Sequence, residues 1–301
     1  MFSLDAEKKH NIRTSYQTGF RNPATQETYI ALDIGQAVLL GGTEDNVKNY
    51  SYDTGIGIVE GQQIYDNLYT IGSFFAFAGT GFTDPTVLQP ADLEYLKQEK
   101  NKTFEIGYRG LFSEKLFVDL SYYNTRYEDF VVRVTTFSLD VGRAYAVYTN
   151  IADDVVTSSG IGATLNYSFN GGYNLGGNYQ YTTFNADDAV ENNPGFLPSF
   201  NTPENRINLS FANRDISNSG FGFNLKFRWS DEYTWQSPFG NSTIDAFSVM
   251  DLAVTKKLTG IKSIVKLGAN NLLGKDYYTV YGGPSVGSIY YVSLTFDQIL
   301  K

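Results

Sequence analysis

Between Gly220 and Ser230 the chain alternates with a period of two residues. Phe221, Phe223, Leu225, Phe227 and Trp229 interleave with Gly222, Asn224, Lys226, Arg228 and Ser230. Successive side chains of a strand point to opposite sides, so this run has one apolar face and one polar face. The pattern recurs. Phe104, Ile106, Tyr108 and Phe112 alternate with Glu105, Gly107 and Arg109, and Ile161, Ala163, Leu165, Tyr167 and Phe169 with Gly162, Thr164, Asn166 and Ser168. Met250, Leu252 and Val254, then Tyr290, Val292, Leu294 and Phe296, continue it. About ten strands are predicted in all, an all-β chain.

The polar face distinguishes two kinds of sheet. A soluble β-sandwich usually carries Lys and Glu on its solvent face, whereas here many polar positions hold Gly, Ser, Thr, Asn and Gln. Small uncharged groups suit the crowded, wet lumen of a transmembrane barrel. The 23 Tyr, 22 Phe and 29 Gly fit strands, interfaces and turns. No apolar run approaches the roughly 18 residues of a membrane helix, and Ser73 to Ala78 is the densest stretch. Barrel strands need only about 9–11 residues each. The net charge of −9 excludes a nucleic-acid partner, because no basic stripe is available to neutralise phosphates.

The connections alternate in length. Short ones fall at Ser113–Lys115, Asn170–Gly172, near Asp215–Ser219 and near Leu258–Ile261; longer ones span Phe184–Pro203, Tyr233–Ala246 and the very long Phe20 to about Asn101. Outer-membrane barrels have this asymmetry, with tight periplasmic turns and long external loops. Phe112, Phe169, Tyr173, Phe221 and Phe296 are predicted to form the periplasmic aromatic girdle, and Tyr127, Tyr181, Trp229 and Tyr233 the external one.

The segment His10–Pro23, ending Gly19-Phe20-Arg21-Asn22-Pro23, resembles a barrel strand and corner of TonB-dependent receptors. Thr103-Phe104-Glu105-Ile106-Gly107-Tyr108-Arg109-Gly110 is similar to the family's T-x-E-x-G-Y-K-G strand, with Tyr127–Phe130 as a following strand end. Gly268-Ala269-Asn270-Asn271-Leu272-Leu273 with Asp276-Tyr277-Tyr278 resembles the penultimate strand, and Gly287–Phe296 the closing one. Gln98 stands where the family often has Pro, and the tail Asp297–Lys301 extends past the terminal aromatic. The resemblance implies that residues 1–301 are the carboxy-terminal portion of a receptor barrel. On that reading they form an incomplete antiparallel arc of a ring of about 22 strands, without plug or signal peptide. Met1–Leu4 would then end a preceding strand, with Asp5–Lys9 as a periplasmic turn.

Catalysis finds little support. His10 is the only histidine, there is no cysteine, and His10 falls beside a periplasmic turn. The acid pairs Asp153-Asp154 and Asp187-Asp188 lack EF-hand spacing, and no cofactor or metal is expected. Arg109, Lys226, Arg228 and Lys266 face the lumen, where they either meet an anionic ligand or pair with Glu105, Asp251 or a plug; pairing is preferred because a confined unpaired charge is costly. Tyr65, Tyr69, Phe74, Phe75 and Trp235, in the long loops, are candidates for ligand capture, against simple packing of loop on loop. The ligand-binding candidates are therefore Tyr65, Tyr69, Trp235, Arg109 and Arg228.

The resemblance implies a Gram-negative outer-membrane receptor, not an enzyme. It would take up a scarce ligand such as a metal chelate, vitamin or oligomeric nutrient, energised by the TonB complex through the plug. Its other partners would be membrane lipid and the amino-terminal strands. The alternatives are a complete small passive porin or structural barrel and a soluble β-sandwich binding module. Single cysteines near Asn193 and Gly240 are expected to label from outside intact cells. Cysteines at Lys115 and Gly171 should label only once the outer membrane is opened, and the opposite pattern overturns the topology.

Overall fold

A computed structural model describes residues 2–151, 156–192, 196–237 and 240–296. Met1, Asp153-Asp154, Asn193 and the tail Asp297–Lys301 lie outside them. The alternating segments form one antiparallel sheet of eleven strands. In order these are Phe2–Ser3, His10–Arg21, Glu99–Phe112, Leu116–Glu128, Val156–Ser168, Tyr173–Asn185, Asn205–Asn213, Phe221–Ser230, Phe247–Leu258, Ser263–Asn270 and Ile289–Phe296. Phe2 and Ser3 pair with Ile12 and Asn11, as expected of the end of a preceding strand. Among the described residues the first and last strands share no ladder, so the sheet is an open arc.

Register carries the period-two pattern across the arc. Leu209 opposes Phe227, which opposes Met250, and Val254 opposes Leu267, which opposes Val292. These side chains form one continuous face that packs against nothing in the chain: Val292 is 73% exposed and Leu267 55%. So much apolar area in water would drive association, whereas against hydrocarbon it is at home. The opposite face carries Arg13, Glu105, Asp119, Asn178, Asn208, Lys226 and Asp251. Tyr181 and Trp229 belong to the outward row. Tyr127 does not. It has inward parity and meets Phe130 edge to face at 5.4 Å, so it belongs to an interior cluster and not to the external girdle.

The long connections depart most from expectation. Residues 25–79 are helices and short strands, not bare loop, and Phe130–Ser138 and Arg143–Ile151 form a long hairpin beyond the arc. Together they build a second, five-stranded sheet in the order Ala31–Asp33, Val38–Leu40, Arg143–Ile151, Phe130–Ser138, Leu68–Thr70. Val38–Leu40 runs parallel to Arg143–Ile151, and the other pairings are antiparallel. Val38, Leu40, Val47, Ile64, Leu68, Tyr145 and Val147 form its buried core. Tyr233–Ser237 and Gly240–Ile244 pair as a separate hairpin.

Part of this outer unit is built twice, about twenty residues apart. Helix Thr25–Tyr29 leads into the hairpin Ala31–Asp33/Val38–Leu40, and helix Glu44–Asn49 into Ser51–Asp53/Ile58–Glu60. In each turn an aspartate, Asp33 or Asp53, accepts the N–H of the glycine two residues on at 2.8 Å. Those glycines, Gly35 and Gly55, have φ of 85° and 81°, the left-handed region that favours glycine. Each hairpin then returns to its helix, Gly41 N–H donating to Ile30 O and Gly61 N–H to Tyr50 O, both at 2.8 Å.

The arc and the outer sheet are joined at Glu99. This residue is 5% exposed, and its carboxylate accepts the Val131 N–H at 3.1 Å and pairs with Arg21 at 3.2 Å. Arg21 also holds Glu27 at 2.9 Å, which caps its helix by accepting the Ala24 N–H at 2.5 Å. Asn150 completes the seam, accepting the Lys97 N–H and donating to Asp129 O, both at 2.6 Å.

Two outcomes follow from this division into arc and outer sheet. Leu225→Arg puts a cation on the lipid face, at a cost of about 2–4 kcal/mol near the midplane; heat-modifiable mobility and surface level should fall, while lumen-facing Lys226→Gln leaves both intact. Ile64→Ala empties the outer core at a cost of about 2–5 kcal/mol. Protease should then cut the outer sheet while the arc keeps its mobility shift.

Candidate functional site

The lumen face gathers its charges into two groups, each fixed by strand register. In the first, Asp119 receives Arg13 at 2.9 Å and Arg109 at 2.7 Å, and Glu105 lies 3.5 Å from Arg13. Glu105, one of the partners the sequence offers the lumen cations, lies by Arg13, and Arg109 meets Asp119, which register sets directly across the ladder on the neighbouring strand. In the second, Arg228 approaches Asp251 with Nε 3.2 Å from Oδ2, an ion-pair distance without hydrogen-bond alignment, while Nη2 donates to Oδ1 at 3.3 Å. Lys226 stands opposite Asp251 in register, and Lys266 lies 5.3 Å from the centre of the Tyr291 ring.

Lys226, Asp251 and Lys266 of the second group line an open cavity of about 900 Å³ together with Asn174, Asn224 and Tyr291, and Arg228 stands outside it. The Asn270-Asn271 pair shapes its rim. Asn271 adopts φ 52° and its N–H donates to Asp251 Oδ1 at 3.0 Å, which ends the strand and fixes the carboxylate that faces Arg228. Arg109 lies near the short-turn end of its strand and Arg228 near the long-loop end of its own. The structure therefore does not bring these two candidates together.

The external aromatics separate in the same way. Tyr65 is buried at 7% exposure, stacks on Tyr95 at 5.3 Å and donates to Glu94 O at 3.1 Å. Burial also pushes its hydroxyl pKa up, so for this residue packing is the reading the geometry favours. Tyr69 lies in the edge strand Leu68–Thr70 opposite Phe137, and Phe74 stacks on that same Phe137 at 3.6 Å. Phe75 is exposed. Trp235 lies in the separate hairpin opposite Ser242. That hairpin and the outer sheet enclose a crevice of about 320 Å³ lined by Ala37, Leu39, Arg133, Ser237, Gly240 and Asn241.

Sequence reasoning missed a third cavity at the long-loop rim, of about 460 Å³. Phe247, Tyr277, Tyr278, Tyr281, Lys275 and Asp276 line it. Phe247 stacks on Tyr277 at 4.5 Å, and Tyr233 Oη donates to Thr279 O at 2.6 Å, holding the last long connection over the hairpin. The run Asp276-Tyr277-Tyr278 was the available signal, read only as a family motif.

His10 lies at the short-turn end, its Nδ1 2.7 Å from Tyr108 Oη and its ring against Phe112 at 4.7 Å. Asp187 and Asp188 occupy the first turn of the helix Asp187–Asn192, where carboxylates favour the helix dipole. Among the described residues no group of three or more His, Cys, Asp or Glu side chains is placed to hold a metal ion.

The family profile described as TonB dependent receptor-like, beta-barrel matches residues 3–272. The chain belongs to that family. Outer-membrane placement follows from the membership. A search of curated protein sequences found no significant relative. Among solved structures the chain is similar to P. aeruginosa FpvA bound to heterologous pyoverdines, at 15% identity and TM-score 0.51 over 69% of this chain and 29% of that one. It is similar to the copper transporter OprC at 16% identity and TM-score 0.51, over 67% and 32% of the two chains. The FrpB iron transporter of Neisseria meningitidis (F3-3 variant) matches at 17% identity and TM-score 0.50, over 66% and 30%. At these identities the likeness is one of fold. The TonB-dependent receptor chain described here thus spans about a third or less of its structural neighbours.

The Glu99 joint lies between the receptor's arc and the outer sheet that carries Tyr65 and Tyr69. Glu99→Gln keeps the shape but replaces a charge-assisted contact, at a cost of about 1–3 kcal/mol. Hydrogen exchange at Val131 should quicken, with exchange in the arc strands unchanged.

Proposed function

We propose that the complete receptor containing this chain takes up a scarce ligand across the outer membrane of a Gram-negative bacterium, with energy from the TonB complex. The chain serves as the carboxy-terminal part of its barrel, and the plug and the amino-terminal strands come from the rest of the longer protein. The match of residues 3–272 to the receptor barrel family carries the reading. An arc with a lipid-compatible outer wall and a charged inner wall supports it. A metal chelate is the favoured ligand class, since the structural neighbours include an iron transporter, a copper transporter and a receptor bound to pyoverdines.

Trp235 and Tyr69 are the proposed external contacts, and Arg228, with its side chain 40% exposed, the proposed contact for an anionic chelate inside the rim. Arg109 is the corresponding proposal nearer the periplasm, and Tyr65 supports the sheet that presents Tyr69. The test is growth and radiolabelled uptake with ferric and cupric chelates, cobalamin and oligosaccharides, in strains lacking the receptor or TonB. One metal chelate should fail to enter in both strains. Arg228→Gln should raise the concentration giving half-maximal uptake about tenfold, the effect of losing a hydrogen bond to a charged group. Uptake that persists without TonB would favour a passive porin.

A further inference from the structure

The lipid-facing row changes character at the external end of two neighbouring strands. Lys100 and Lys102 share the parity of Phe104, Ile106 and Tyr108, and so they stand on the outward face. Register sets Arg126 directly opposite Lys102, and Glu128 opposite Lys100. Like charges directly opposed across a ladder destabilise it unless something neutralises them. Two carboxylates do part of this: Lys102 pairs with Glu128, and Lys100 reaches Asp129 at 3.1 Å. Arg126 is exposed, and among the described residues no carboxylate lies within ion-pair distance of it. The outward positions flanking this rung are uncharged: Thr18 on one side, Thr157 and then Asn185 on the other.

Height in the membrane gives this cluster its meaning. Phe104 and Phe112, the ends of the apolar outward row, are eight residues apart. That is about 27 Å along the strand and about 20 Å along the membrane normal at a tilt of about 40°, close to the apolar band of about 25 Å in such barrels. Lys102 is the next outward position beyond Phe104, at headgroup level on the external side. Beneath the cations, Ile106, Tyr122, Ile161 and Tyr181 make one unbroken cross-strand row of apolar surface.

We propose that Lys100, Lys102 and Arg126 form a site for the phosphate of an outer-leaflet lipid whose acyl chains lie down this row. Arg126 supplies a planar fork that matches phosphate oxygens, and the two lysines supply point charges. The phosphate offsets the repulsion between Lys102 and Arg126, and the apolar row makes a tethered phosphate preferable to a free one. The proposal rests on the outer-membrane reading above.

The test uses the full-length receptor in phosphatidylcholine nanodiscs doped with bis-phosphorylated lipid A or with its dephosphorylated form, and measures retained glycolipid by native mass spectrometry. The wild type should retain the phosphorylated form and release the other, a comparison that needs no variant. Lys102→Gln combined with Arg126→Gln should weaken retention roughly 30-fold, as expected for two surface cations. Lys102→Arg should keep it. Lys256→Gln, which removes an outward cation at the opposite rim, should also leave it unchanged. Equal retention of both glycolipids, undiminished retention by the double variant, or full displacement by millimolar inorganic phosphate would each overturn the proposal, the last by assigning the cluster to free anions. Membrane fractionation of the same proteins separates the two readings: a receptor still found in the outer membrane leaves the wider assignment standing.

Discussion

A peptide group facing hydrocarbon has no water to bond with, so each backbone N–H and C=O within the membrane must find a partner in the neighbouring strand. The arc obeys this constraint through uninterrupted ladders, such as the thirteen pairs from Lys100–Glu128 to Phe112–Leu116. Register does more than satisfy hydrogen bonds here. A slip of one residue would turn Leu225 inward and Lys226 out to the lipid, so the ladder, the greasy outer wall and the charged lumen are one property seen three ways. The two end strands leave this requirement open along one edge each, and the structural neighbours extend well past this chain.

Above the membrane the chain follows other rules. Water can satisfy loose peptide groups there, so the outer sheet tolerates three-residue strands and a parallel pairing, and a hydrophobic core of its own holds it together. Buried Glu99 mediates the change of regime. It terminates a barrel strand, anchors Arg21 at the end of the preceding one and accepts a backbone N–H from the outer hairpin. One carboxylate thereby ties the corner Gly19–Pro23 to a sheet formed by residues more than a hundred positions apart.

The ten long arc strands were legible because each alternates over eight or more residues, enough for period two to emerge from noise. The outer sheet was not. Val38–Leu40 is buried throughout, and its three residues are too few to alternate. Phe130–Ser138 has a nearly continuous apolar start and lies under cover, so its pattern does not separate two faces. Tyr65 passed for an exposed loop aromatic because the partners that bury it, Tyr95 and Glu94, are thirty residues away. For Arg109 and Arg228 facing was readable and partners were not, since Asp119 meets Arg109 only through register. The doubled Asp-x-Gly turn was visible in the sequence as Asp33-Ile34-Gly35 and Asp53-Thr54-Gly55, but it asks for a search at a spacing of twenty and not of two.

That doubling bears on how the outer unit is held. Each copy closes its own turn and bonds its second strand back to its own helix, through Gly41 to Ile30 in one and Gly61 to Tyr50 in the other. In both, a Cβ on the glycine would strike a backbone carbonyl oxygen, of Thr28 or of Val47. The two copies repeat a local fold, yet they share one buried core, to which Val38 and Leu40 come from the first and Val47 from the second, with Tyr145 and Val147 of the outer hairpin. The segment that carries both copies leaves the arc at Arg21 and re-enters it at Glu99, two residues paired on one rung, so its whole length projects from a single point of the ladder between His10–Arg21 and Glu99–Phe112. The length of that projection is set by its own turns and core, and the rungs of the arc are set by the strands alone.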